Sequence, residues 1–167
     1  MARPDYNNRG NRSDRGGYQN SHADTHTSGE MGTVMKEINK VTDLADLSIE
    51  VIAGPDGIAE NAAKIMKDQR STLNPTQLRK FFDTIIKIKE KQSENGWEAG
   101  ESDFFMLYPT LAYAKGRKTI PQEFYTLTTG CLKKIPSAKG SKQSVENYSR
   151  FVNLMESLVA YSKYYSK

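Results

Sequence analysis

Apolar residues recur every three or four positions in one long stretch of the chain, at Leu78, Phe81, Phe82, Ile85, Ile86 and Ile88. Arg79, Lys80, Asp83, Lys87 and Lys89 occupy the positions between them. That spacing puts the apolar set on one side of a helix and the charges on the other. The start is marked as well. Asn74 offers a capping oxygen, Pro75 has no amide hydrogen to leave unpaired in the first turn, and Gln77 stands three positions after the cap. The helix is predicted to end or break at "ENGW", residues 94–97.

The same periodicity predicts the other elements. Val34, Ile38, Val41, Leu44, Leu47 and Ile49 give a helical segment over 34–52, interrupted at Thr42 and Asp43, with Thr42 as the cap of a short second piece. "AGPDG", 53–57, is a turn, and Ile58, Ala62, Ile65 and Met66 then begin a helix running to about Arg70. Phe104, Phe105, Leu107, Tyr108, Leu111, Ala112 and Ala114 form another, closing near Gly116, with Pro109 in its first turns or at a kink. Phe124, Leu127, Thr128, Cys131 and Leu132 form a helix that opens with Pro121 and Glu123 and stops by Pro136. "SAKGSKQS", 137–144, is expected as a flexible basic loop. Val145, Tyr148, Phe151, Val152, Met155, Leu158 and Val159 share a face of the last helix, which runs to about Tyr165. Nothing alternates with the period of a strand. The expectation is an all-α fold, a compact bundle of about five helices.

Composition changes the picture at the front. Residues 1–32 are rich in Gly, Asn, Ser, Arg and Asp and almost free of aliphatic side chains, so they cannot offset the entropy of ordering. They are expected as a disordered tail, and 33–167 as one helical domain. The tail's "NNRGNRSDRGGYQN" reads either as a solubilising segment or as one that touches nucleic acid without folding. There is no signal-peptide pattern and no apolar run long enough to span a membrane, so a soluble, cytoplasmic protein with no membrane partner is expected.

The formal charge is +4, and its source lies beyond the tail, whose arginines are balanced by acids. Between Lys115 and Lys142 seven lysines and arginines face the single acid Glu123. With Arg79 and Lys80 they are candidates for a track of phosphate contacts, provided the bundle brings them to one side; solvated helix ends are the other reading. Tyr113, beside Lys115 and Arg117, is placed either to stack on a base or to pack at the edge of the core.

Catalytic chemistry is sparse. His22 and His26 fall in the expected tail, and Cys131 is the sole cysteine, which excludes an internal disulfide and a cysteine zinc site. Its neighbours Leu127 and Leu132 make it a buried thiol. Glu98, Glu101 and Asp103 flank a predicted turn and read as a solvated helix start or a weak site for a hard cation. No phosphate-binding loop or nucleophile elbow occurs. The chain is expected to be no enzyme, with no cofactor, no metal and no catalytic residue.

Three stretches together, "LNPTQLRKFFDTIIKI", "LAYAKGRK" and "FVNLMESLVAYSKYY", resemble the small helical subunit of the type III-A CRISPR interference complex, the Csm-type effector. The likeness covers roughly residues 58–167. It implies a non-catalytic subunit whose copies self-associate as an inner filament of a ribonucleoprotein and border the guide RNA and target RNA along their backbones. Its partners would be those RNAs and the other subunits of the complex. The family's basic positions fall on Arg79, Lys80 and Arg117, and the assignment extends to the adjacent Lys115 and Lys118. Tyr161, Lys163 and Tyr164 are candidate interface residues. The competing reading is a helical adaptor that binds only protein, through the tyrosine-rich last helix.

Overall fold

The computed structural model describes residues 23–67 and 75–166. The regular elements among those residues are all helical, as expected, with finer divisions than the periodicity predicts. The elements are α1 (Ala23–Asn39), a single 3-10 turn (Leu44–Asp46), α2 (Ile49–Ala53), α3 (Ile58–Lys67), α4 (Pro75–Asn95), α5 (Trp97–Phe105), α6 (Leu107–Gly116), α7 (Gln122–Leu132) and α8 (Ser141–Tyr165). The expected cap at Asn74 and the helix end at Arg70 lie outside the described residues.

The front of the domain differs from expectation. α1 begins at Ala23, inside the stretch read as a tail, and Met31 is buried with Val34 and Ile38. Met31, Val34 and Ile38 follow one another at helical spacing, so the composition of 1–32 masked the first turn of a core-facing stripe. The interruption falls at Thr42 and Asp43 as predicted, but Thr42 caps nothing. Ser48 caps α2, accepting from the Val51 amide at 3.2 Å.

α8 is the element around which the others gather. It packs on α2, α3, α4, α5 and the 3-10 turn, while α7 closes the other side against α1, α3 and α6. Its inward face carries Tyr148, Phe151, Val152, Leu154, Met155 and Leu158, all buried. Burial pushes the Tyr148 hydroxyl well above its usual range. That hydroxyl donates to the Ile85 carbonyl of α4 at 3.0 Å, so the polar end of a large core side chain is satisfied. Cys131 is fully buried, and its thiol is pushed up to about 12 by desolvation.

Two breaks have local causes. Gly96, at φ 83°, turns the chain between α4 and α5 in a conformation costly for any other residue. The predicted helix around Pro109 is divided into α5 and α6 at Met106. Pro109 has no amide hydrogen for the Phe105 carbonyl four residues back, and the helical ladder resumes with Thr110 donating to Met106 at 3.3 Å. Glu98, Glu101 and Asp103 are on α5, with Glu98 in its first turn just after Gly96, the helix start expected of them.

The segment 137–144 is half loop and half helix, since α8 starts at Ser141. Its loop part is pinned. Lys139 pairs with the buried Asp43 at 2.6 Å, and the Ser137 amide donates to Ser144 Oγ at 3.0 Å. The Lys139 ammonium, with Asn147 and Ser137, lowers the Asp43 carboxyl to about 2. Asn147 is the hub of this corner. Its amide donates to Asp43 at 3.0 Å and to the Lys134 and Ile135 carbonyls at 3.1 and 3.2 Å, while its oxygen accepts from the Ala45 amide at 3.0 Å.

Candidate nucleic-acid interface

The cluster after α6 is built by the way that helix ends. Thr119 N–H donates to the Ala114 carbonyl at 3.0 Å and Lys118 N–H to the Lys115 carbonyl at 2.9 Å, the paired bonds of a Schellman motif. The position between helix and loop, where glycine is usual, is held by Lys118 at φ 57°. A left-handed lysine costs on the order of 1 kcal/mol. Lys118→Gly is accordingly expected to raise stability by about 1 kcal/mol, read from urea unfolding midpoints. The helix end also favours cations there, through the partial negative charge of its last carbonyls.

Arg117 and Tyr113 form one unit on the outside of this helix end. Tyr113 is 65% exposed. The guanidinium donates to the tyrosine hydroxyl at 3.0 Å and lies 5.6 Å from the ring centre. Lys115 is half-buried, and Arg117 and Lys118 are exposed. Across a shallow groove of about 130 Å³, Lys80 and Thr84 of α4 face Thr110 and Ala114 of α6. The fold therefore brings Lys80 to the helix carrying the cluster. Arg79 is exposed but is turned about 100° from Lys80 around α4, away from the groove lining.

Several cations counted in the basic segment are committed elsewhere. Lys134 donates to the Val41 carbonyl at 2.7 Å and Lys139 is paired with Asp43. Lys133 and Lys142 are exposed. Among the interface candidates Lys163 and Tyr164 are exposed, whereas Tyr161 is half-buried and donates to the Ala53 carbonyl at 2.9 Å, tying α8 to α2.

The acidic residues of α5 are separated by their partners. Glu98 accepts from Ser141 at 2.5 Å, a bond that holds its carboxyl below the usual range. Glu101 accepts from the Trp97 indole at 3.0 Å, and Asp103 pairs with Lys91 at 2.5 Å. Among the described residues no three His, Cys, Asp or Glu side chains are placed to share a metal, and no helix is long and apolar enough to cross a membrane. His26 lies in α1, and His22 is outside the described residues.

A second concavity, of about 470 Å³, lies between α1 and α7. Sequence reasoning passed over it because its lining is mostly neutral, with Asn39, Tyr125, Thr126 and Thr129 beside Lys133. The available signal was spacing. Gln122, Thr126, Thr129 and Lys133 form a polar stripe down one side of α7.

Residues 53–167 match the family described as Csm2 Type III-A. The chain belongs to that family. Csm2 proteins are the non-catalytic small subunits of type III-A CRISPR complexes and are generally cytoplasmic. All three stretches that carried the resemblance fall within the Csm2 match, as do α3 to α8, whereas α1 and the 3-10 turn precede it. No curated protein and no solved structure matches the chain.

Proposed function

We propose that this Csm2 chain stacks as an inner filament of its complex and holds the guide and target RNA duplex by phosphate contacts from Lys80, Lys115, Arg117 and Lys118. The observation carrying this reading is that Lys80 lines the α4–α6 groove opposite Ala114 and Ile120, the residues that bracket Lys115, Arg117 and Lys118 in the chain, with no carboxylate partner to any of the four cations among the described residues. Some lysines elsewhere are matched, Lys64 with Asp56 and Glu60, Lys91 with Asp103 and Lys139 with Asp43. Cations held without carboxylate partners are suited to neutralising an external polyanion.

Such contacts read charge and spacing. Sequence would be chosen by base pairing between guide and target, and the subunit would add an affinity indifferent to base identity. Few charges per copy release few counterions, so binding by one copy is weak and assembly multiplies it.

The test is fluorescence anisotropy of a labelled guide–target duplex against the purified chain across a salt series. Replacing Lys80, Lys115, Arg117 and Lys118 together by glutamine is expected to weaken binding at low salt by about tenfold or more and to flatten the salt dependence. Arg79→Gln, on the other flank of α4, is expected to do less. Unchanged affinity in the fourfold variant overturns the assignment. A chain that binds partner subunits but no RNA at low salt is the helical adaptor.

A further inference from the structure

We infer that the cleft between α1 and α7 holds one unpaired nucleotide of an RNA strand; this rests on the proposed contact between the chain and RNA. The cleft is an open depression of about 470 Å³, within the size range of small-ligand sites. Gly130 is part of the lining, and the flexible end of the Met35 side chain lies over it, 2.3 Å from where a Cβ would stand.

The chemistry of the lining fits a nucleotide part by part. Met35 and the half-buried Tyr125 supply an apolar floor and an aromatic ring for a base. Lys133, exposed and without a partner among the described residues, is a point charge for a phosphate. Asn39 is exposed, and its amide, also without a partner among those residues, offers both a donor and acceptors to a base edge. Thr126 Oγ1 accepts from Gln122 at 3.1 Å, which leaves its own proton to donate. Thr129 gives its proton to the Tyr125 carbonyl at 2.7 Å and so can only accept.

No carboxylate lines the cleft. The larger concavity on the other side of α1, about 750 Å³, has Glu30, Glu37 and Asp56 in its walls against the single cation Lys64, itself paired with Asp56, and is unsuited to an anion. α1 thus presents an acidic flank to α2 and α3 and a neutral one to α7. Paired bases have their edges engaged and their faces stacked, so a pocket offering both a ring and edge donors suits a nucleotide outside a duplex. α7 spans about 16 Å between this cleft's Lys133 and the end of α6, a distance one short strand crosses.

The experiment uses the full chain and two labelled probes, a single-stranded oligouridylate and a blunt, fully paired RNA duplex. The double variant Asn39→Ala with Lys133→Gln changes two exposed residues, and circular dichroism checks that it remains folded. Its affinity for the single strand is expected to fall about fivefold to tenfold and for the duplex less than about twofold. Ultraviolet crosslinking is expected to attach the single strand to the peptide containing Tyr125, and the attachment to weaken in the variant. Equal losses on both probes, or none, overturn the inference, as does inorganic polyphosphate displacing the single strand as well as unlabelled RNA does. If the fourfold variant at the α6 end weakens binding and the cleft variant does not, this inference alone falls. If the unaltered chain binds neither probe, the proposed function falls with it.

Discussion

Phe104→Ala is expected to destabilise the domain by about 4 kcal/mol, measured as a shift of the urea midpoint at constant m-value. Phe104 is fully buried and is the centre of an aromatic cluster. Its ring lies 5.1 Å from those of Trp97 and Phe105, 6.1 Å from Tyr108 and 6.0 Å from Tyr148, mostly edge to face. Truncation would leave a cavity bounded by α5, α6 and α8 that none of these rings can enter without leaving its own partners. Tyr148 is further fixed by its bond to Ile85, so relaxation from that side is blocked. Phe105→Ala, in the next residue, is expected to cost less than about 1 kcal/mol because that ring is already 48% exposed.

Asn147→Ala is expected to cost about 3 kcal/mol and to lower the melting temperature by roughly 10 °C. The side chain is fully buried and makes five hydrogen bonds, three of them to backbone groups in two segments distant in sequence. Alanine would leave the Ala45 amide without its acceptor and the Lys134 and Ile135 carbonyls without a donor. The effect also depends on pH. A carboxyl held down at about 2 contributes stability above the ordinary carboxylate range, and that contribution is lost as pH falls from about 4 toward 2. Removing Asn147 takes away one cause of the depression, so acid unfolding should begin at a higher pH in the variant.

α4 was legible because cap, proline and apolar stripe all point to the same boundary, and α8 because its stripe is long. α5 was not. Its sequence, "WEAGESDFF", mixes a glycine and three acids with three aromatic residues, and its helicity rests on packing against α4 and α8. The break at Met106 follows from a missing hydrogen bond, which Pro109 announces only once the register is known. Met31 was hidden by its surroundings, since composition averages over a window and a helix stripe needs only every third or fourth residue.

The cations themselves could be read from the sequence, but their availability could not. Lys134 and Lys139 look identical to Lys118 in a charge count, yet one is bonded to Val41 and the other to Asp43, each about ninety residues or more away in the chain. Only the folded arrangement separates a cation spent on the protein's own interior from one presented outward. Neutral surfaces are harder still. Asn39 and Tyr125 come together across two helices that no local pattern relates.

The central position of α8 has a consequence for synthesis. Chains fold as they emerge, earlier segments first. Here α2, α3, α4, α5 and the 3-10 turn all pack on α8, which is made after every one of them. Until it appears, α3 has only α1, α2 and α7 to pack on and α4 chiefly α5, and Asp43 waits for an asparagine 104 residues later. The nascent chain should stay incompletely packed, a substrate for chaperones, until α8 emerges and closes it.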